Sequence, residues 1–287
     1  MRTNGALAGG RSSGACGSSA PTLRDGSAVS GARAPPVAMG IVTTRAVLLR
    51  SFPYSETSRV LRFYTDALGT VGVMAKGLRA GGGRRGTSLE SFTEGGLTIY
   101  VRPTRELQTL REFAPTRVRR KLAADLPRFG GGAVLGELVL KHAGEEANPR
   151  LFDVLSRALD RLCEVPAESV LPALLQEGWR LVSTLGYRPQ VERCLECGVS
   201  PTDELVRFDL AGGGIRCGRC APDPAGPRLG PRARAQLSAL LDQSGPAPPT
   251  LERPVVHLRL LSDFVTYHLS GGRPLASFEV LTGLLGS

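Results

Sequence analysis

Residues 59–76 read RVLRFYTDALGTVGVMAK, and this stretch decides the fold of the first half of the chain. Arg59 to Thr65 is β-branched and aromatic, a composition that suits a pleated, half-buried strand. It ends in Asp66-Ala67-Leu68-Gly69, where Asp and Gly supply turn chemistry. Thr70 to Lys76 follows at once as the hairpin partner. Upstream, Ile41 to Leu49 alternates apolar and polar positions, with Val42, Ala46 and Leu48 on one face. Downstream, a Gly/Arg loop from Gly77 to Gly86 precedes two more strand-like runs, Phe92–Val101 and Glu106–Phe113. Five short strands with no room for crossover helices predict a small β-barrel over residues 39–116.

From Arg117 the pattern turns helical. Expected helices are Arg117–Leu126, Ala133–Glu146, Pro149–Cys163 and Ser169–Leu185. In the third, Leu151, Val154, Leu155, Ala158, Leu159 and Leu162 recur at three- and four-residue spacing and form one apolar face. Gly186 suits a helix C-cap. Residues 117–189 thus read as a helical domain and 190–222 as a cysteine-bearing element whose middle, Glu204 to Leu210, alternates like a strand. Residues 223–287 then supply helices near Arg232–Asp242, Arg253–Leu269 and Leu275–Leu284 that pack with the helical domain. The class is α+β, multidomain. Residues 1–38, rich in Gly, Ser, Ala and Pro, hold too little apolar surface to offset the entropy of ordering and are expected to be disordered. Met39 opens the patterned part, which leaves Met1 and Met39 both open as the start; a transit-type leader is the other reading of this stretch.

Cys194 and Cys197, then Cys217 and Cys220, form two C-x-x-C pairs separated by nineteen residues, within the spacing of a structural zinc site. Gly198 and Gly218 suit tight turns that aim two thiolates at one point. A closed four-sulfur shell leaves no open coordination position, so one Zn²⁺ held there would serve structure. Iron suits the same cage. Two disulfides would require an oxidising compartment, and no secretory signal points to one. Arg193, Arg216 and Arg219 either offset the thiolate charge or are ordinary surface arginines. Cys16 and Cys163 read as a tail thiol and a core thiol.

The net charge is +10 and unevenly spread. Residues 1–38 carry +3, residues 39–121 carry +9, and residues 122–287 carry −2. A basic domain joined to a near-neutral one points to a polyanion partner, most often nucleic acid. The candidate contacts are Arg59, Arg62, Lys76, Arg79, Arg84, Arg85, Arg102 and Arg105, of which Lys76, Arg79, Arg84 and Arg85 are expected to be principal. Phe52, Tyr54, Phe63, Tyr64, Phe92 and Tyr100 lie among them. Cations that follow a phosphate backbone and aromatic faces that stack bases are the two requirements of single-strand binding. In a small barrel about half of those aromatics belong to the core. Enzyme chemistry has little support: the three histidines, His142, His257 and His268, do not cluster, and no nucleophile elbow, HExxH or dinucleotide fingerprint is present. No apolar run reaches the ~18 residues of a membrane helix.

Several segments together resemble the bacterial recombination mediator family RecO. They are Thr44-Arg45-Ala46-Val47-Leu48-Leu49-Arg50, Tyr54-Ser55-Glu56-Thr57-Ser58, Leu61-x-Phe63-Tyr64-Thr65-x-x-x-Gly69 and Ala75-Lys76-Gly77-Leu78-Arg79. The cysteine element and the Tyr267-His268-Leu269 segment extend the likeness from Met39 to about Leu285. The resemblance implies an N-terminal OB-fold, a helical domain interrupted by a zinc element, and no catalytic site. It implies binding of single- and double-stranded DNA and annealing of complementary strands in the cytoplasm. It also implies action with RecR on DNA coated by single-strand-binding protein, so that RecA can load, with the acidic, hydrophobic tail of single-strand-binding protein among the partners. The helical half, which has no charge excess, is the expected protein-binding half, with no particular surface assigned to that tail. Some family members lack the cysteines, whereas all four are present here. Two other readings stay open: an OB-fold RNA-binding accessory factor of translation or transcription, and an enzyme using the metal.

Overall fold

The computed structural model describes residues 40–76, 89–202, 204–221, 226–242, 244–245, 247–248 and 250–286. The N-terminal tail 1–38 and the arginines of the Gly/Arg loop, Arg79, Arg84 and Arg85, lie outside the described residues.

Strands β1 (Gly40–Ser55), β2 (Ser58–Thr65), β3 (Gly69–Lys76), β4 (Glu94–Val101) and β5 (Leu107–Arg117) close a barrel in the order β1-β2-β3-β5-β4. All neighbours are antiparallel except β3 and β5, which run parallel. This is the five-stranded Greek-key barrel of the OB-fold. Alternation fills it: Leu48, Leu61, Phe63, Val73, Leu97 and Ile99 are fully buried in one cluster inside. The intervening Val47, Leu49 and Tyr64 are buried too, but in the helical core outside the barrel wall. Strand β1 therefore has two buried faces, a pattern that simple alternation does not anticipate. It is also longer than expected, 16 residues, because one end pairs with β4 and the other with β2. A register shift between Leu48 and Arg50 bends it around the barrel.

The segment Arg117–Leu126 is not a helix. Arg117 still pairs with Glu94 at the end of β5, and only a short 3₁₀ turn, Arg120–Ala123, follows. Helix α1 runs Leu126–His142, seven residues ahead of the expected start at Ala133. Asp125 caps it by accepting from the Arg128 N–H at 2.8 Å. The glycines Gly130, Gly131 and Gly132, poor helix formers, are what close packing demands. A Cβ on Gly132 would lie 3.1 Å from the Phe92 ring, and one on Gly130 would lie 2.8 Å from Leu281. Helices α2 (Pro149–Glu164) and α3 (Val170–Thr184) follow, α2 capped by Asn148 accepting from Leu151 N–H at 2.9 Å. Gly186, at φ +98°, ends α3 in the left-handed region open to glycine.

After α3 a small sheet, β6 (Val206–Asp209), β7 (Gly214–Arg216) and β8 (Arg228–Leu229), is ordered β7-β6-β8. Helices α4 (Pro231–Leu241), α5 (Pro254–His268) and α6 (Ala276–Gly286) complete the chain. Helix α3 packs on α1, α2, α4 and α5, and α6 packs on α1 and α5. Trp179 of α3 is fully buried and meets Phe264 of α5 edge-on at 5.2 Å; Phe208 of β6 meets the same ring at 6.1 Å. Burying such a ring contributes roughly 2–3 kcal/mol, so Phe264 couples the small sheet to the helical core. Among the described residues no helix is long and apolar enough to cross a membrane.

The joint between barrel and helices is polar as well as apolar. Tyr64 stacks on Phe152 of α2 at 6.3 Å, and Arg45 lies 4.8 Å over the other ring of that pair, Phe152, while bonded to Asp66 at 2.9 Å. Glu137 of α1, 3% exposed, accepts from the Ser277 N–H of α6 at 2.8 Å and pairs with Lys141 at 3.1 Å and Arg50 at 3.5 Å. One carboxylate thus ties β1, α1 and α6 together.

Candidate nucleic-acid interface and metal centre

The arginines of the barrel fall into two groups. Arg45, Arg117 and Arg119 are consumed at the joint by ion pairs with Asp66, Asp153, Glu94 and Asp160. Arg62, Lys76, Arg102 and Arg105 are exposed, and no ion pair joins them to an acid among the described residues. Arg62 lies across β3: a Cβ on Gly72 would sit 2.8 Å from its guanidinium, so the glycine makes room for it. Arg102 and Arg105 stand in the β4–β5 loop, which Gln108 braces by donating to Arg102 and Arg105 carbonyl oxygens at 3.3 and 2.6 Å. Arg59 differs. It shares the strand parity of the interior residues Leu61 and Phe63, is half-buried, and donates from Nε to Ser51 Oγ at 2.7 Å. It belongs to the barrel mouth, away from the wall that carries Arg62.

Two cations escaped the sequence reading. Arg50, which pairs with Glu137 at 3.5 Å, lies directly opposite Arg62 across β1 and β2. Arg111, exposed on β5, is the extra residue of a bulge between Leu110 and Glu112. The alternation Arg50-x-Phe52-x-Tyr54 was the available signal for the first, masked by Pro53, which reads as a strand end. Of the six aromatics, Phe63, Tyr64 and Phe92 are buried and Phe52, Tyr54 and Tyr100 are exposed. Only Phe63 lies inside the barrel; Tyr64 and Phe92 join the helical core.

The four cysteines come together. Their Sγ atoms all lie within 4.8 Å of one another, Cys194 and Cys217 buried, Cys220 half-buried and Cys197 exposed. Each pair sits on a tight turn: Gly198 N–H donates to Cys194 O at 3.0 Å, and Cys220 N–H to Cys217 O at 3.0 Å. Gly198 takes φ +71°, the left-handed conformation this turn requires. Cys217 N–H points at Cys194 Sγ at 3.4 Å. Burial pushes the Cys194 thiol up, but hydrogen bonds from the amides of Cys197, Cys217 and Glu196 outweigh it and bring it down to about 6. Cys220, bonded to the sulfurs of Cys217 and Cys197, is pushed up to about 12. The Cys197–Cys217 sulfur separation of 3.8 Å matches the edge of a tetrahedron with about 2.3 Å metal–sulfur bonds, which is about 3.8 Å. The donor set and its spacing fit a tetrahedral four-thiolate ion.

Arg216 does not face the sulfurs freely. It bridges Asp209 and Glu196, each at 2.8 Å, and so fastens the β6–β7 hairpin to the first turn; Arg193 and Arg219 are exposed. On its other side the hairpin buries Phe208 and Ile215 in the helical core, and Leu210 O accepts from His268 Nε2 at 2.7 Å. His257, buried, bonds Gln236 at 3.2 Å, and His142 bonds Ser270 at 3.1 Å, so the three histidines stay apart.

Comparison with known proteins agrees with this architecture. The family model for the recombination protein O N terminal matches residues 39–119, and that for the recombination protein O C terminal matches residues 123–277. A DNA repair protein RecO of Salinibacter ruber is 31% identical over 86% of this chain and 95% of its own length. Those of Rubrobacter xylanophilus and Anaeromyxobacter dehalogenans are 32% and 30% identical, over 64% and 85% of this chain and 73% and 96% of theirs. With both halves matched in order, on a barrel and a helical domain that carry the corresponding elements, the chain belongs to the RecO family of DNA repair and recombination proteins.

Proposed function

We propose that this chain is a DNA-binding recombination mediator that binds single- and double-stranded DNA and anneals complementary strands. With RecR it opens DNA coated by single-strand-binding protein to RecA. The observation that carries the reading is the exposed cation set of the barrel, Arg62, Lys76, Arg102 and Arg105, without acidic partners among the described residues while the joint arginines are paired. Exposed cations on the barrel neutralise phosphates of two strands at once and lower the repulsion that slows annealing. Arg79, Arg84 and Arg85, outside the described residues, would extend the set together with Lys76. Contact with about five phosphates gives duplex affinity a log–log salt slope of roughly −0.9 per phosphate.

The division of labour places DNA on residues 39–116 and protein partners on the helical half, residues 117–189 with 223–287. There, a groove of about 840 Å³ runs between α4 and α5. It is lined by the apolar Leu229, Val256 and Leu260, by the exposed Arg228, Arg253 and Arg259, and by the acids Glu252 and Asp263. Apolar side chains with arginines in excess of acids suit the acidic, hydrophobic tail of single-strand-binding protein. The four cysteines would hold one Zn²⁺ as a structural ion, and the protein would work in the cytoplasm at the nucleoid.

The test is an annealing assay on complementary strands coated by single-strand-binding protein, with and without RecR, run beside a competition between single-stranded DNA and RNA. Annealing that RecR modulates, and preference for DNA, are expected. No annealing, or stronger capture of RNA, overturns the reading.

A further inference from the structure

The two cysteine turns are fastened to each other by bonds that do not involve sulfur. Leu195 N–H donates to Ile215 O at 2.9 Å. Gln190 N–H donates to Gly213 O, and Ile215 N–H donates back to Gln190 O, each at 2.9 Å. Arg216 adds side-chain ties to Asp209 and Glu196, each at 2.8 Å. Leu195 and Glu196 are the two residues between Cys194 and Cys197, and Cys217 follows Arg216 directly. Main-chain bonds and ion pairs therefore hold the first turn beside the second. The sulfurs of the two turns stay neighbours whether or not they share an ion.

Those sulfurs are not equivalent. Cys194 and Cys217 are buried, whereas Cys197 is exposed. Cys194 Sγ also accepts the Cys217 N–H at 3.4 Å. A hydrogen bond to a thiolate favours its charged form and lowers its nucleophilicity. Cys197 Sγ lies 3.8 Å from Cys217 Sγ. An accessible sulfur with a second one poised beside it is the arrangement of a redox-sensitive pair. Cys163, half-buried on α2, lies outside the cluster.

Resting on the reading of the four cysteines as one metal centre, we infer that Cys197 is an oxidation site for hydrogen peroxide and Cys217 is its resolving partner. The Cys197 thiolate attacks one peroxide oxygen; the S–O bond forms, the O–O bond breaks and hydroxide leaves. Cys217 Sγ then attacks the Cys197 sulfur; the S–S bond forms, the S–O bond breaks and a second hydroxide leaves. The two sulfurs lose two electrons, the peroxide gains two, and solvent protons turn both hydroxides into water. Cys194 and Cys220 are then too few for a closed four-sulfur shell, so the ion is given up. The new bridge encloses β6 and β7 and replaces the ion as the link between the turns. Phe208 and Ile215 keep their place in the helical core. Oxidation thus yields a folded, metal-free form that a thiol reductant reverses, unlike the deletion of a ligand.

The test treats the full chain, as purified, with hydrogen peroxide in steps. Dimedone added with the peroxide traps sulfenic acid and should label Cys197 about tenfold more than any other cysteine of the cluster. Without the trap, peptide mapping under non-reducing conditions should show a Cys197–Cys217 bridge. A chromogenic chelator should register one ion released for each bridge formed. Dithiothreitol with added Zn²⁺ should restore the ion. The urea midpoint of the bridged form should lie above that of Cys194→Ala. Cys163→Ser should release the ion at the same rate as the unaltered chain. First labelling at Cys194 or Cys220, a Cys194–Cys197 bridge, or unfolding on oxidation overturns the assignment. If the chain carries no ion, the metal reading fails instead, and the bridge map still decides this inference.

Discussion

Arg119 Nη2 lies 2.7 Å from Glu94 Oε2, and through Asp160 and Ser156 of α2 this pair joins the barrel to the helices. Arg119 follows β5, and Glu94 opens β4. Around them Arg119 also donates to Asp160 Oδ1 at 2.8 Å, to Phe92 O at 2.9 Å and to Ser156 Oγ at 2.9 Å. Ser156 in turn donates to Glu94 at 2.5 Å. With its side chain 2% exposed, Arg119 has no water to replace these partners. Removing one member of a buried, hydrogen-bonded pair leaves the other charge uncompensated and costs about 3–5 kcal/mol. Arg119→Ala should therefore lower the urea midpoint strongly, whereas Arg120→Ala, exposed one residue on, should leave it within about 0.5 kcal/mol. Equal midpoints would refute the role of this pair as the joint.

Histidine 257 should set a pH dependence. Burial holds its imidazole below the usual range, so it stays neutral in the fold while the unfolded chain takes up a proton near pH 6.5. Protons then favour the unfolded state, and stability falls as pH drops through about 6.5 and below. Chemical denaturation at pH 7.5 and 5.5 should show a smaller difference for His257→Gln than for the unaltered chain.

The acid limb has a separate origin. Burial raises Glu94 and Glu137, but hydrogen bonds from Ser156 and Arg119 to the first, and from Ser277 to the second, outweigh it and hold both below the usual carboxylate range. Their stabilisation is present above the ordinary carboxylate pKa, about 4.5, and is lost as pH falls through the lowered values of the fold. Glu137→Gln should flatten unfolding between about pH 4.5 and lower values, read by circular dichroism.

Gly69 cannot carry a side chain. It takes φ +63°, and an added Cβ would meet the carbonyl oxygens of Gly144 at 2.4 Å and Glu146 at 2.7 Å. The clash is with backbone, and Thr70 N–H bonds that same Gly144 O at 3.2 Å. Gly69→Ala should cost on the order of 1–3 kcal/mol, measured by thermal unfolding, and should loosen the loop after α1 from the barrel.

Loss of the cysteine cluster should damage folding more than DNA contact. Cys194→Ala, or chelation, removes a ligand from a site far in sequence from the barrel wall, and structural four-thiolate sites contribute folding energy directly. Metal content by mass spectrometry should fall from one ion per chain, and solubility should drop. The soluble fraction should retain barrel binding to duplex DNA. A well-folded, soluble variant that binds no DNA would reverse this ordering.

Legibility varied with how local the determining physics is. The β2–β3 hairpin, α2 and α3 were readable because turn residues, periodicity and caps lie within a few residues of what they control. The two C-x-x-C pairs were readable because spacing alone places four sulfurs on two short turns, and the structure brings all four within 4.8 Å. Helix α1 was misread at its start because Gly130–132 lower helix propensity, and only the Phe92 ring and Leu281 across the interface explain them. The helix expected from Arg117 failed because Glu94, twenty-three residues upstream, claims Arg117 for a strand.

The sequence by itself determined the barrel class, the cysteine element and the location of the charge, since composition and short-range pattern suffice for each. Tertiary structure alone decided which arginines remain available. Arg45 and Arg119 resemble Arg62 and Arg102 in any sequence reading. The first two are committed to carboxylates brought near by folding; among the described residues the last two have no such partner. It likewise decided that Arg50 and Arg62, twelve residues apart, lie directly opposite each other. Such a pairing is defined by hydrogen-bond register across closed strands, and register exists only once the barrel has closed.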